Sequence, residues 1–322
     1  MSNRFLLTIA LVVIAVIAAG GALAASKLRL SIATGGTGGV YYPYGGGLAR
    51  VLTQRVPGLQ VTAEVTGGSV DNVKLVGAGD ADIGFSTIDS ALDGARGLGA
   101  YTDTGPQRIV ALAVLYDSFV HVVARDDSKI TQVVQLKGKR ISVGSAGSST
   151  EAIADRILAA AGLNPAKDVT RDNLSVAESV AALKDGKIDA LFWIGGLPTS
   201  AITDLVTTGN TKIVFLPAGT LLGKLNAKHP NLYRPFTLPK SVYAGTPADV
   251  PGVGVSNIMF VSADMKAETV LKILKGIFDN LGEVQKIHPD AKILTLARAS
   301  AKTAIGYHPA AAAFYKARGR LK

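Results

Sequence analysis

The chain contains no cysteine. Disulfides, thiolate metal ligands, a cysteine nucleophile and a lipid-modified N-terminal cysteine are therefore excluded, and any core must hold by packing alone. Histidine is scarce, with four residues in 322. His229, His288 and His308 each precede proline, as turn residues often do. His121 lies in an apolar run and reads as a satisfied core histidine. No His/carboxylate cluster has metal-ligand spacing. The patterns G-x-S-x-G and H-E-x-x-H are missing, and no Walker lysine follows any loop. No catalytic acid–base constellation, metal site or cofactor site is therefore expected. A 20–50-residue repeat is also missing, which excludes a solenoid or propeller.

Charged residues make up 18% of the chain and the net charge is +10. Residues 1–24 contain Arg4 and no acidic residue, so without them the balance falls by one to +9. Such a charge suits nucleic acid, an anionic membrane or acidic substrates. The basic residues are scattered, however, and the one short cluster is Lys316, Arg318, Arg320 and Lys322. Without a basic arm interleaved with aromatics, nucleic acid is not expected as a partner.

Arg4 is followed by an apolar stretch from Phe5 to Ala19, interrupted at Thr8, and then by Ala22-Leu23-Ala24, a small-x-small pattern. This is the layout of a secretory signal over 1–24. Because apolar and small residues continue to Ala25, an uncleaved anchor is the other reading. Either way the bulk of the protein lies outside the cytoplasm, in the periplasm.

Beyond the leader, short strand-like runs alternate with helical stretches. Strands are predicted at 28–33, 59–65, 82–86 and 108–116, with helices near 43–56 and 70–78 between them. The pattern restarts with strands at 119–124, 140–143, 188–194 and 212–216. Ser148-x-x-Glu151 and Ser175-x-x-Glu178 open two helices as capping boxes, and Pro198 starts another. A long apolar segment, VGVSNIMFV, reads as a return strand before helices at 267–286 and 309–317. The alternation predicts an α/β protein with mostly parallel sheets. Its two lobes would be joined by two crossing strands, with hinges near 116–120 and 252–258. Lobe I would comprise 25–118 and 257–322, and lobe II 119–256.

Four Gly/Ser/Thr loops follow predicted strands: Thr34–Gly39, Thr66–Ser69, Ser86–Thr87 and Gly144–Thr150. Ligands in open α/β sheets bind beyond the carboxyl ends of the strands. Unpaired N–H groups at a helix start favour carboxylate or phosphate. Any one such loop serves equally as turn and cap. Four in equivalent positions point to a cleft whose two walls donate to one anion. A dinucleotide fold fits less well. Gly36-Thr-Gly-Gly-Val-Tyr lacks the last glycine of G-x-G-x-x-G, although Glu64 lies near the end of the second strand. Tyr41, Tyr116 and Trp193 sit at strand or loop ends, where an aromatic either packs in a core or lines a ligand.

The blocks IATGGTGGVYYPYGGGLARVL, EVTGGSVDNVKLVGAGDADIGF, LKGKRISVGSAGSSTEAIADRIL and LKDGKIDALFWIGGLPTSAITDL resemble the TAXI family of TRAP-transporter solute receptors. So do IMFVSADMKAETV and YHPAAAAFYKARG, so the resemblance spans nearly the whole chain beyond the leader. It implies a two-lobed, hinged (type II) periplasmic-binding fold; separately, a monomer is expected. It also implies a ligand in the cleft and delivery to the membrane subunits of a sodium-coupled TRAP permease. Relatives bind glutamate, glutamine or related dicarboxylates. The family's binding loops map onto Gly36, Thr37, Gly38, Tyr41, Ser69 and Asn72, and in the second lobe onto Ser145, Gly147, Ser148 and Thr150. Ser86, Tyr116 and Trp193 complete the expected site. At Tyr116-Asp117-Ser118-Phe119 many relatives carry Pro and Glu after the Tyr, a departure that favours a non-amino dicarboxylate. A sensor module that reports a ligand to a membrane kinase is the alternative function on the same fold.

Overall fold

The computed structural model describes residues 27–208 and 211–321. The expected leader at 1–24 lies outside them. No helix among the described residues is long and apolar enough to cross a membrane.

The chain begins β1 (Leu28–Ala33), α1 (Tyr41–Arg55), β2 (Leu59–Glu64), α2 (Ser69–Ala78), β3 (Ile83–Thr87) and α3 (Ile88–Arg96). β1 pairs in parallel with both β2 and β3, as βαβ connections require. Next comes β4 (Ile109–Arg125), one 17-residue strand, almost wholly buried and rich in Val. The expected break between 116 and 119 does not occur.

The second half runs β5 (Arg140–Ser142), α4 (Ser149–Ala160), β6 (Thr170–Asp172), α5 (Val176–Lys184), β7 (Ala190–Gly195), α6 (Ser200–Thr208) and β8 (Ile213–Phe215). α7 (Leu222–Lys228), β9 (Tyr233–Leu238) and β10 (Val250–Ser262) follow. β5 is parallel to β6 and β7. The chain closes with α8 (Ala267–Phe278), α9 (Leu281–Val284), α10 (Leu296–Ala299) and α11 (Pro309–Lys316). The helix expected over 267–286 is thus interrupted at Asp279-Asn280, where the Asn280 side chain donates to Gly276 O and competes with the helical ladder. α6 begins at Ser200, two residues after Pro198.

The described strands form one mixed sheet, ordered β2-β1-β3-β10-β4-β7-β5-β6. The two parallel groups are joined by antiparallel pairs at its centre. β10 pairs with β4 from Gly254↔Phe119 to Ser262↔Ile109. β4 then changes partner, from β10 to β7 over 119–124. β10 changes too, lying beside β9 over 250–255 and β3 over 257–261. Two long strands therefore cross between the two ends of the molecule.

Apolar faces cover the sheet. α8 buries Val270, Ile273, Leu274 and Ile277, the three–four spacing of an amphipathic helix. They pack with Leu48, Leu52 and Met259 in one cluster. A second cluster runs from Val73 and Ile88 through Val120 to Ile157 and Phe192, continuous across the crossing strands. A third gathers Phe119, Leu191, Ile202 and Tyr243.

Two ionic clusters tie distant elements together. Arg156 of α4 donates to Asp89 at 2.8 Å and to Asp93, both on α3, while Tyr233 of β9 also donates to Asp89 at 2.7 Å. Asp89 is fully buried. Asp117, where β4 crosses, pairs with Arg234 of β9 and with Arg298 of α10.

Candidate functional site

A cavity of about 240 Å³ lies between the two ends of the molecule. Its walls are the segments after β1 and β2, the start of α2, Tyr116 of β4, the loop after β5, the starts of α4 and α5, and the end of β7. These sit beyond the carboxyl ends of parallel strands, where doubly wound sheets place ligands.

The starts of four helices meet here. Tyr41 of α1, Ser69 of α2, Ser149 and Thr150 of α4, and Val176 and Ala177 of α5 all line the cavity. A helix start carries partial positive charge and leaves its first N–H groups without intrahelical partners. Some are taken locally. Gly147 O accepts from Val70 N and Asp71 N at 3.0 and 3.1 Å, Ser148 Oγ from Glu151 N and Ser175 Oγ from Glu178 N. For the N–H groups of Ser69, Ser149, Thr150, Val176 and Ala177 no partner is seen among the described residues.

Hydroxyls in the wall are fixed by their neighbours. Tyr41 donates to Asn257 Oδ1 at 2.6 Å and lies 3.3 Å from Ser69 Oγ, which accepts from Thr87 N. Asn257 in turn donates to Tyr116 O and Ser118 Oγ. The Tyr41 ring stands edge-on to Phe85 and Tyr116, at 5.7 and 6.5 Å. Burial pushes the phenols of Tyr41 and Tyr116 above their ordinary range, so both stay neutral. Thr150 Oγ1 accepts from Ile194 N at 3.3 Å. The Trp193 ring lies 2.9 Å from where a Cβ on Gly39 would sit, so only glycine fits beneath it. Trp193 Nε1 donates to Thr199 Oγ1 at 2.9 Å.

Behind Trp193 sits His121, buried and neutral, as a core histidine should be. Its Nδ1 is 3.1 Å from Phe119 O and 3.2 Å from Trp193 O, and its Nε2 is 3.1 Å from the Tyr243 hydroxyl. Two carbonyls at Nδ1 place the proton there, leaving Nε2 to accept. Burial lowers its pKa to about 4. No group of three or more His, Cys, Asp or Glu placed to hold a metal is found among the described residues.

The structure places Gly36, Thr37, Gly38, Tyr41, Ser69, Tyr116, Ser145, Ser148, Thr150 and Trp193 around this cavity. Asn72, Ser86 and Gly147 are not in its wall. Asn72 is a buried strut, donating to Thr34 O and Phe85 O and accepting from Thr66 Oγ1. Ser86 is buried and donates to the backbone at Thr87. Gly147 makes the seam with α2 described above. Its φ of +75° and the 2.2 Å between a notional Cβ and Asp71 Oδ1 require glycine there. The Ser148 box is only half formed, because Glu151 turns to Arg171 and Asn173 instead. The Ser175 box is complete. Sequence reasoning missed Ser149, the α5 wall and Asn257. The α5 wall carries a capping signal but no glycine. Asn257 is a lone amide in an apolar strand, which a search for polar residues needing buried partners would have found.

A curled mixed sheet with two crossing strands and a cavity between its ends defines the α/β periplasmic-binding-protein fold, a two-lobed class of solute-binding proteins. Within it, the chain belongs to the NMT1-like family, whose model matches residues 32–319. Among solved structures, one described as a periplasmic transporter is 13% identical, with 92% of this chain and 93% of that chain covered and a TM-score of 0.55. A protein of Bordetella bronchiseptica RB50 is 21% identical (84% and 78% covered, TM-score 0.54). A binding-protein component of an ABC phosphonate transporter from Pseudomonas aeruginosa is 11% identical (82% and 79% covered, TM-score 0.52). These likenesses are ones of fold. The family that the match establishes is NMT1-like.

Proposed function

We propose that this protein is an extracytoplasmic solute receptor that binds a small organic anion in the cavity and delivers it to a membrane permease without chemical change. The observation that carries the reading is the convergence of four helix starts on one small cavity. A carboxylate, sulfonate or phosphonate there accepts from N–H groups that otherwise lack partners. The volume is below the ~300–1,000 Å³ of drug-sized sites, which suits a small metabolite.

Lobe I is assigned to 25–118 and 257–322 and lobe II to 119–256, with the hinge where β4 and β10 change partners. α1 and α2 then belong to one lobe and α4 and α5 to the other. A ligand bridging them favours the closed state by its differential contacts. The sequence blocks support a TRAP permease as the recipient. Sodium-dependent uptake in proteoliposomes containing a TRAP permease is the expected result, and ATP-dependent uptake through an ABC permease would overturn that assignment.

The site is tested by a thermal-shift panel of small organic acids with the purified protein and with Ser149→Asp. An acidic residue in the first turn favours the helix while repelling an anion. The variant, shown to be folded by circular dichroism, should lose the ligand-induced rise. An unchanged rise in the variant would place binding elsewhere.

A further inference from the structure

Resting on the receptor reading, we infer that the ligand carries anionic charge and no cationic group, so that 2-oxo or 2-hydroxy acids and related anions are accepted and the corresponding amino acids are rejected. Among the described residues, none of those lining the cavity is Asp, Glu, His, Lys or Arg. The polar wall consists of backbone, Ser and Thr hydroxyls, the indole, and two phenols that burial keeps neutral. Ser149 points to an acceptor in the cavity. It is only 7% exposed, and its hydroxyl has no partner among the described residues.

An ammonium group here would meet two penalties. It would leave water with no carboxylate to pair with. It would also face the positive ends of four helices. Three nearby carboxylates are engaged elsewhere, and Asp290, against Gly196 and His288, does not line the cavity. Asp71 accepts from Gly67 N at 3.1 Å, Glu151 pairs with Arg171 at 3.0 Å, and Asp117 holds Arg234 and Arg298. Asp71 lies against Gly67 and Gly147 and does not line the cavity. The wall therefore discriminates by charge sign and leaves the rest of the ligand to be chosen by shape.

The experiment is calorimetric titration of the purified protein with matched pairs: 2-oxoglutarate and L-glutamate, 4-methyl-2-oxopentanoate and L-leucine, phenylpyruvate and L-phenylalanine. In at least one pair the oxo acid should bind, at least 100-fold more tightly than its amino partner, and Ser149→Asp should abolish that binding. An amino acid binding as tightly as its oxo partner overturns this inference and leaves the receptor reading standing. Binding by no member of any pair also overturns this inference, while the receptor reading is decided separately by the thermal-shift panel.

Discussion

Arg156 offers the sharpest test of how the two ends of the molecule are held together. Its guanidinium is 14% exposed and serves Asp89 and Asp93, whose side chains are 0% and 17% exposed. Arg156→Met keeps the packing of the stem and removes the charge. The Asp89 carboxylate would then be buried with only the Tyr233 hydroxyl as donor. Breaking a buried pair from one side costs about 3–5 kcal/mol. The retained Tyr233 bond and the partial exposure of Asp93 place this variant at the lower end, about 3 kcal/mol. For a chain of this size that is a fall of roughly 5–10 °C in melting midpoint. Adding Asp89→Asn removes the stranded charge, so the double variant should regain more than ~1 kcal/mol over Arg156→Met. Urea or thermal unfolding followed by calorimetry and circular dichroism reads both quantities. The reasoning is refuted if Arg156→Met stays within about 1 kcal/mol of the parent, or if the double variant is no more stable than the single one.

Three further outcomes are expected. His121 is neutral when folded down to about pH 4, whereas an unfolded imidazole takes a proton below about 6.5. Its contribution is therefore fully present above pH 6.5 and is lost as pH falls toward 4, roughly 3 kcal/mol across the window; His121→Gln should lose about 2 kcal/mol less than the parent between pH 7 and 4.5 in urea titrations. Asn257→Leu removes the donor to the Tyr116 carbonyl and leaves Tyr41 only Ser69 Oγ at 3.3 Å, at about 1–3 kcal/mol for the buried orphan, and should weaken anion binding at least about tenfold by calorimetry as Tyr41 is released. Gly147→Ala should cost about 1 kcal/mol or more through its left-handed φ and also weaken binding, because Gly147 O joins the loop after β5 to the start of α2.

Local structure was legible wherever one chemical signal governed it. The alternation of Leu28 to Ala33 and the turn at Pro57-Gly58 correctly bounded β1, α1 and β2. The middle of β4 was not legible, because Asp117 and Ser118 look like a loop in an apolar run. In the fold Asp117 faces two arginines and Ser118 accepts from Asn257, so the strand continues. The antiparallel centre of the sheet was hidden for a related reason. Pairs such as Gly254↔Phe119 join residues far apart in sequence, and no local pattern records them. Glycine-rich loops revealed the walls from α1, α2 and α4. The α5 wall has no glycine, so it read only as a helix start. Asn72 and Ser86 occupied the expected loops but face inward, where they hold the loops in place.

On the proposed reading, helix-start N–H groups of α1, α2, α4 and α5, and no side-chain cation, hold the anion. Amide chemical shifts of the labelled protein, recorded as a bound oxo acid is titrated in, test this most directly. The largest changes are expected at residues 39–41, 67–69, 149–150 and 176–177, saturating with one binding constant. Changes confined to one lobe, or centred on Arg or Lys side chains away from the cavity, would contradict it.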